Sequence, residues 1–401
     1  MNRLRPQLAF VAFLALLAGA DWPQFRGPGN SSVAENDRLP TEWSENQNVV
    51  WRVELPGRGP SSPIIVSDRV FVTATTGVKH DRLHVLCFDA DSGKRLWERE
   101  FWATGRTATH DSISGAAPTP ASDGQRVFAF FSSNDLVCLD LDGNLQWYRG
   151  LSYDYPKSGN DVGMASSPAV IDGAVIVQVE SQGDSFAVAI DTATGENLWK
   201  VPRKNRANWA SPIALPGRGG RGNAVLLQSP SGLTAHDPRT GEQRWSLENG
   251  CASMCSSLFH DNLLLVPMSG LTALRFSDAS NAPEILWDSR RLSPGTPSPV
   301  VYQDRVYTVS GAIVKCGELA TGDVIWQLRL EGTHWATPVI AGGKMYCINY
   351  DGRASVIRLG DEEGEVVGQA DLGQKIHASP AVADNAMYVR SDRYLWKIGE
   401  R

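Results

Sequence analysis

Three of the seven histidines, His110, His334 and His377, lie shortly before a short Ser/Thr-Pro step, as do Asp111 and Asp161. Arg58, Asn208, Trp209, Met254 and Trp335 occupy the same kind of position. Imidazole and carboxylate groups move protons near neutral pH and ligate metals, and tryptophan offers a flat apolar wall. Gathered at one place, the set could hold a planar cofactor, a metal or a peptide. No metal-ligand spacing links its members, so no metal site and no catalytic residue is assigned, and a loop-lined, water-filled channel is the plainer expectation. Neither a G-x-S-x-G elbow nor an H-E-x-x-H helix motif is present, which argues against a hydrolase.

What would bring these residues together is a repeat. Eight Ser/Thr-led steps recur, at Ser62-Pro63, Thr119-Pro120, Ser167-Pro168, Ser211-Pro212, Ser257-Leu258, Ser298-Pro299, Thr337-Pro338 and Ser379-Pro380. They stand 39 to 57 residues apart, the period of a four-stranded propeller blade. Between them run short strands of alternating apolar residues, such as Arg69-Val-Phe-Val-Thr-Ala, with Gly and Asp turns and no useful amphipathic helix. The residues preceding each innermost strand of a propeller converge at one mouth of its channel, where ligands are usually held.

A second signature closes most units: an acidic residue, a Ser/Thr-Gly turn, then tryptophan. It appears as Asp89/Gly93/Trp97, Asp191/Gly195/Trp199, Asp237/Gly241/Trp245 and Glu318/Gly322/Trp326, with a shorter turn at Asp140/Gly143/Trp147. The acidic group accepts turn N–H groups, glycine supplies positive φ, and the tryptophan can fill the wedge between blades. Trp287 keeps its place after a longer loop in unit five. Unit seven has Gly368 where tryptophan belongs and is expected to be the loosest. The last unit has room for three strands only. Its missing strand is expected to be the one bearing Trp51, in Asn48-Val-Val-Trp-Arg-Val-Glu-Leu, so that the N-terminus closes the ring and hides the sheet edge. The predicted fold is an all-β, eight-bladed propeller over residues 49–401.

These motifs, Ala189-Ile-Asp-Thr-Ala-Thr-Gly-Glu-Asn-Leu-Trp199 above all, resemble the PQQ-repeat or quinoprotein-like family. The resemblance implies one of two things. Quinoprotein dehydrogenases hold pyrroloquinoline quinone and calcium in the central funnel, whereas BamB-type propellers are non-enzymatic scaffolds of outer-membrane protein assembly. This chain is similar in size to the second group. It also lacks the adjacent cysteine pair that dehydrogenases of the family place against the quinone. The expectation is therefore a non-catalytic binding or scaffold module without cofactor, with a protein or small-molecule partner on its loop faces. The alternative is a PQQ- and calcium-dependent dehydrogenase of alcohols or sugars, with a funnel carboxylate such as Asp161 as base.

Arg3, Arg5, the apolar run Leu8 to Leu17 and Ala18-Gly-Ala20 read as a signal peptide over residues 1–20, followed by an N-terminal extension over 21–48. Asp21 follows the cleavage site where a lipoprotein would need cysteine. A monomeric periplasmic or secreted protein that does not span the membrane follows from this reading. The net charge of −6 gives no basic footprint for nucleic acid.

Smaller motifs have local explanations. Cys87, Cys138 and Cys316, each two residues before the acidic turn residue, read as small core residues. Cys251 and Cys255 share one loop, and pairing between them is left open. Asp140-x-Asp142-x-Asn144 lacks the glycine and closing glutamate of a calcium loop and reads as a hairpin turn. Arg218-Gly-Gly-Arg221-Gly reads as an inserted hairpin loop.

Overall fold

The computed structural model describes residues 21–34, 39–44, 47–111, 113–159, 162–217, 222–277 and 282–400. The proposed signal peptide and Arg218 to Arg221 lie outside them. Eight sheets, each built on four antiparallel strands, form an eight-bladed propeller, and blades one to seven run their four antiparallel strands from the inner strand outward in chain order. Blade one, for example, consists of Ile64–Val66, Arg69–Thr76, Arg82–Asp89 and Arg95–Trp102.

Position in the blade explains the burial pattern. Middle strands face a neighbouring blade on both sides, so Ala174–Val179 is buried at every residue. The outer strand Asn197–Arg203 touches neighbours on one face only and recovers the alternation of a half-exposed strand.

Blade eight is completed as the sequence requires. Val49–Glu54 pairs antiparallel with Tyr394–Gly399, Trp51 standing opposite Lys397 and Val53 opposite Leu395. Each docking tryptophan then stitches its blade to the next. Trp51, Trp97, Trp147, Trp199, Trp287 and Trp326 donate from Nε1 to the turn carbonyls of Ala90, Leu141, Thr192, Pro238, Leu319 and Gly360 at 2.9–3.1 Å. Gly93 shows why the turn needs glycine. Its φ is +70°, and a Cβ there would stand 2.7 Å from the Trp51 ring. Trp245 is buried in the same way, edge-on to Phe276.

The Ser/Thr steps do more than mark strand starts. The hydroxyl oxygen of Thr119 accepts the Ser62 N–H, that of Ser167 accepts the Thr119 N–H, and the pattern continues through Ser211, Ser256, Ser298, Thr337 and Ser379 at 2.9–3.1 Å. Seven links thus sew the inner ends of the blades together around the axis. In blade five the ring residue is Ser256, one place before the Ser257-Leu258 start expected from sequence. Ser257 holds the proline position because its N–H is used: both N–H and hydroxyl donate to Gln228 Oε1, at 2.8 and 2.6 Å.

Blade seven is not left short of a tryptophan. Trp43, from the N-terminal segment, stacks on Tyr346 with ring centroids 6.5 Å apart, and the Tyr346 hydroxyl donates to the Leu39 carbonyl at 3.1 Å. A side chain at Gly368 would collide with the Thr41 carbonyl, so glycine is required where the segment crosses. Val33–Ala34 adds a fifth, parallel strand to the inner edge of this blade by pairing with Val339–Ala341.

The described part of residues 21–48 is therefore built into the propeller. Trp22 pairs with Ile65 of blade one, the Pro23 carbonyl accepts the Ser122 N–H of blade two, and the Ser32 carbonyl accepts the Ile340 N–H of blade seven. Between these anchors Arg26 crosses toward blade five and donates to the Ser257 carbonyl at 2.6 Å. The segment spans the channel and closes it from the side of the inner-strand ends.

Candidate functional site

Above this closure lies a cavity of about 400 Å³ on the propeller axis, within the size range of small-molecule sites. Phe25 forms its floor. The seven ring hydroxyls make its lower wall, and Trp209, Met254, Trp335, His110 and His377 form the rim. Ile113, Ala117, Val162 and Ala165 complete an apolar lining.

The rim aromatics are held in fixed orientations. Trp209 donates from Nε1 to the Gly163 carbonyl at 2.8 Å. His377 is wedged edge-on to Trp335 and Tyr350, with centroids 5.4 and 4.8 Å away. Burial lowers the His377 pKa, only partly opposed by Asp392, and its Nε2 is buried without a hydrogen-bond partner. The ring is accordingly neutral at pH 7.

Other residues singled out in the sequence do not face this space. His334 is buried and donates from Nδ1 to the Gly311 carbonyl at 2.9 Å, and burial pulls its pKa down too. Asn208 is buried between blades, its Nδ2 donating to the Gln228 carbonyl at 2.8 Å. Both are the first of an adjacent pair in extended backbone, where successive side chains point opposite ways; Trp335 and Trp209 take the funnel side. Arg58 stands above the rim, paired with Asp392 at 3.0 Å and donating to the Asp111 carbonyl. Asp111 does not line the cavity, and Asp161 lies outside the described residues. His110 and His377 thus share the funnel, while His334 turns away from it.

Sequence reasoning missed Phe25 and the ring hydroxyls as lining groups. The hydroxyls were visible as a repeat, but a repeat that marks strands carries no sign of where its side chains point. Phe25 belongs to Asp21-Trp-Pro-Gln-Phe-Arg-Gly-Pro28, an unrepeated stretch that the structure alone places on the axis.

The cysteines are all free and buried, Cys251 and Cys255 included. Burial pushes both of these thiols up to about 12, which makes them poor nucleophiles. The Asp140 carboxylate accepts the N–H groups of Asp142 and Asn144 at 3.0 and 2.8 Å, so this stretch is a hairpin turn.

The repeat geometry has a counterpart in known sequences. A family model of the PQQ-repeat type, described as outer membrane protein assembly factor BamB, matches residues 29–211, 158–254, 233–367 and 313–400. The chain belongs to the PQQ-repeat family. Within the family it is 26% identical over 385 residues to outer membrane protein assembly factor BamB of Burkholderia pseudomallei, covering 90% of this chain and 91% of that protein. It is 22% identical over 347 residues to a polyvinylalcohol dehydrogenase of a Pseudomonas species, covering 76% of this chain but 50% of the dehydrogenase. Among solved structures, BamB from Moraxella catarrhalis superposes with a TM-score of 0.64 at 18% identity, over 88% of this chain and 97% of that one. The quinohemoprotein alcohol dehydrogenase of Comamonas testosteroni does so with 0.70 at 13% identity, over 95% and 81%. These structural likenesses establish a shared fold.

The family's cofactor can be tested against the lining. Pyrroloquinoline quinone carries three carboxylates, and its calcium requires oxygen ligands, carboxylates among them. No Asp, Glu, Lys or Arg lines the funnel among the described residues, and no cluster there of His, Cys, Asp and Glu could hold a metal ion. Among the described residues, the donor set does not fit the quinone-calcium pair. Among the described residues, no helix is long and apolar enough to cross a membrane.

Proposed function

We propose that this PQQ-repeat chain is an exported, non-catalytic binding or scaffold propeller that works without a resident cofactor. The observation that carries the reading is the funnel itself, floored by the chain's own Phe25 and lined by no Asp, Glu, Lys or Arg among the described residues. A metal-binding carboxylate or a cation to hold an anionic quinone would each need a charged group there. The near full-length likeness to the Burkholderia assembly factor supports the same conclusion. The partner is a protein on the loop faces or a small molecule in the funnel, and the protein acts as a monomer in the periplasm or outside the cell.

A dehydrogenase is the second reading, favoured by the likeness to polyvinylalcohol dehydrogenase, of which this chain spans half the length. Dye-linked oxidation of alcohols, measured after incubation of the purified protein with calcium and pyrroloquinoline quinone, separates the two. No turnover above the protein-free control is expected; stoichiometric, calcium-dependent turnover would overturn the binding reading.

A further inference from the structure

We propose that the funnel takes an uncharged, flat ligand whose oxygens accept hydrogen bonds, an inference that rests on the funnel being the binding site. Three features of the lining point to this chemistry, and each excludes a different alternative.

The first is the state of the ring hydroxyls. A Ser or Thr hydroxyl has one proton to give and two lone pairs to offer. In each of the seven, one lone pair is already taken by the N–H of the preceding blade at 2.9–3.1 Å. The proton is not committed by those bonds, and all seven residues line the cavity. A circle of hydroxyl donors around an axis is matched by a ligand with acceptor oxygens. A pure hydrocarbon would leave the donors unsatisfied, at a cost for each one desolvated.

Charge is the second feature. No Asp, Glu, Lys or Arg lines the cavity among the described residues, Arg58 is paired with Asp392 at 3.0 Å, and His377 is buried between Trp335 and Tyr350. An anion or cation entering the funnel would lose water and find no counter-charge among the described lining residues, whereas an uncharged molecule escapes that penalty.

The third is shape and stiffness. Trp209 is pinned through Nε1, Trp335 is braced by His377, and Phe25 closes the floor. Preset aromatic faces favour a planar partner, since stacking then requires little side-chain ordering.

Calorimetric titration of the full protein with three bicyclic probes tests the inference: coumarin as the neutral acceptor, naphthalene as its hydrocarbon match, and naphthoate as the anion. Coumarin is expected to bind at least tenfold more tightly than naphthoate and several-fold more tightly than naphthalene. Trp209→Ala should weaken coumarin at least tenfold. Met254→Ala, at a partly exposed rim position, should weaken it by a smaller factor and serves where the tryptophan variant folds poorly. Naphthoate binding as tightly as coumarin, with both sensitive to these substitutions, would overturn the ligand class and leave the funnel as the site. Naphthalene equal to coumarin would overturn the role given to the hydroxyls. Binding of no probe, or binding indifferent to both substitutions, would overturn the funnel reading and the class together.

Discussion

Trp43 stacks on Tyr346 at 6.5 Å between ring centroids, and through this contact the N-terminal segment supplies the aromatic that blade seven lacks. Elsewhere the equivalent pair lies within one blade, as in Trp97 on Phe71 and Trp326 on Tyr307, at 5.8 and 5.9 Å. Trp43 is almost fully buried, so Trp43→Ala should cost about 3–5 kcal/mol of unfolding free energy. Denaturant titration checks this; a loss below about 1 kcal/mol would mean that the segment rests on the blade without stabilising it.

Ring closure makes a comparable demand. Removing residues 48–55 takes the outer strand from blade eight and exposes the edge of Tyr394–Gly399. Cooperative thermal unfolding should be abolished, and Trp51→Ala alone should cost about 3–5 kcal/mol. A deletion variant that melts like its parent would contradict the closure.

The hydroxyl ring should matter one link at a time. Ser298→Ala leaves the buried Ser256 N–H without its acceptor and should destabilise by about 1–3 kcal/mol, the usual cost of an orphaned buried donor. Ser298→Thr, which keeps the oxygen, should recover most of it. Equal losses from both substitutions would indicate that packing, and not the hydrogen bond, decides the effect.

Acid should weaken the fold in two stages. Burial depresses the pKa of His236, His334 and His377, so as pH falls through about 6.5 the unfolded chain takes up protons that the native state resists. Stability from these groups is fully present above that pH and declines below it. Asp237 behaves likewise at lower pH. Burial raises its pKa, but hydrogen bonds from the Thr240 and Arg239 N–H groups and from Arg244 outweigh this and bring it down to about 2, so its contribution disappears as pH falls from about 4 toward 2. The melting temperature should be nearly level from pH 8 to 7 and fall between 6.5 and 5, and His334→Asn should flatten that fall. An unchanged slope in the variant would remove His334 from the account.

The propeller was legible because its determinants are local and repeated eight times. A Ser/Thr-Pro step, an acidic turn and a tryptophan each act within one blade or on the next, so each copy reinforces the reading of the others. The N-terminal segment had no such redundancy. Arg26 meets Ser257 across 231 residues, and nothing near either residue announces it. Gly368 looked like a defect because Trp43 is remote from it in sequence. The funnel was only partly readable for another reason: in His334-Trp335 and Asn208-Trp209 the chain shows two polar or aromatic candidates, and backbone alternation admits one of each pair to the cavity.

The claim that the funnel is a binding site with no place for the quinone is tested most directly by equilibrating the protein with excess pyrroloquinoline quinone and calcium, removing free quinone by gel filtration, and reading the absorbance that travels with the protein. Retention well below one equivalent, unaffected by calcium chelation, is expected from a funnel lined by hydroxyl and apolar groups. One equivalent of quinone held in a calcium-dependent manner would contradict it.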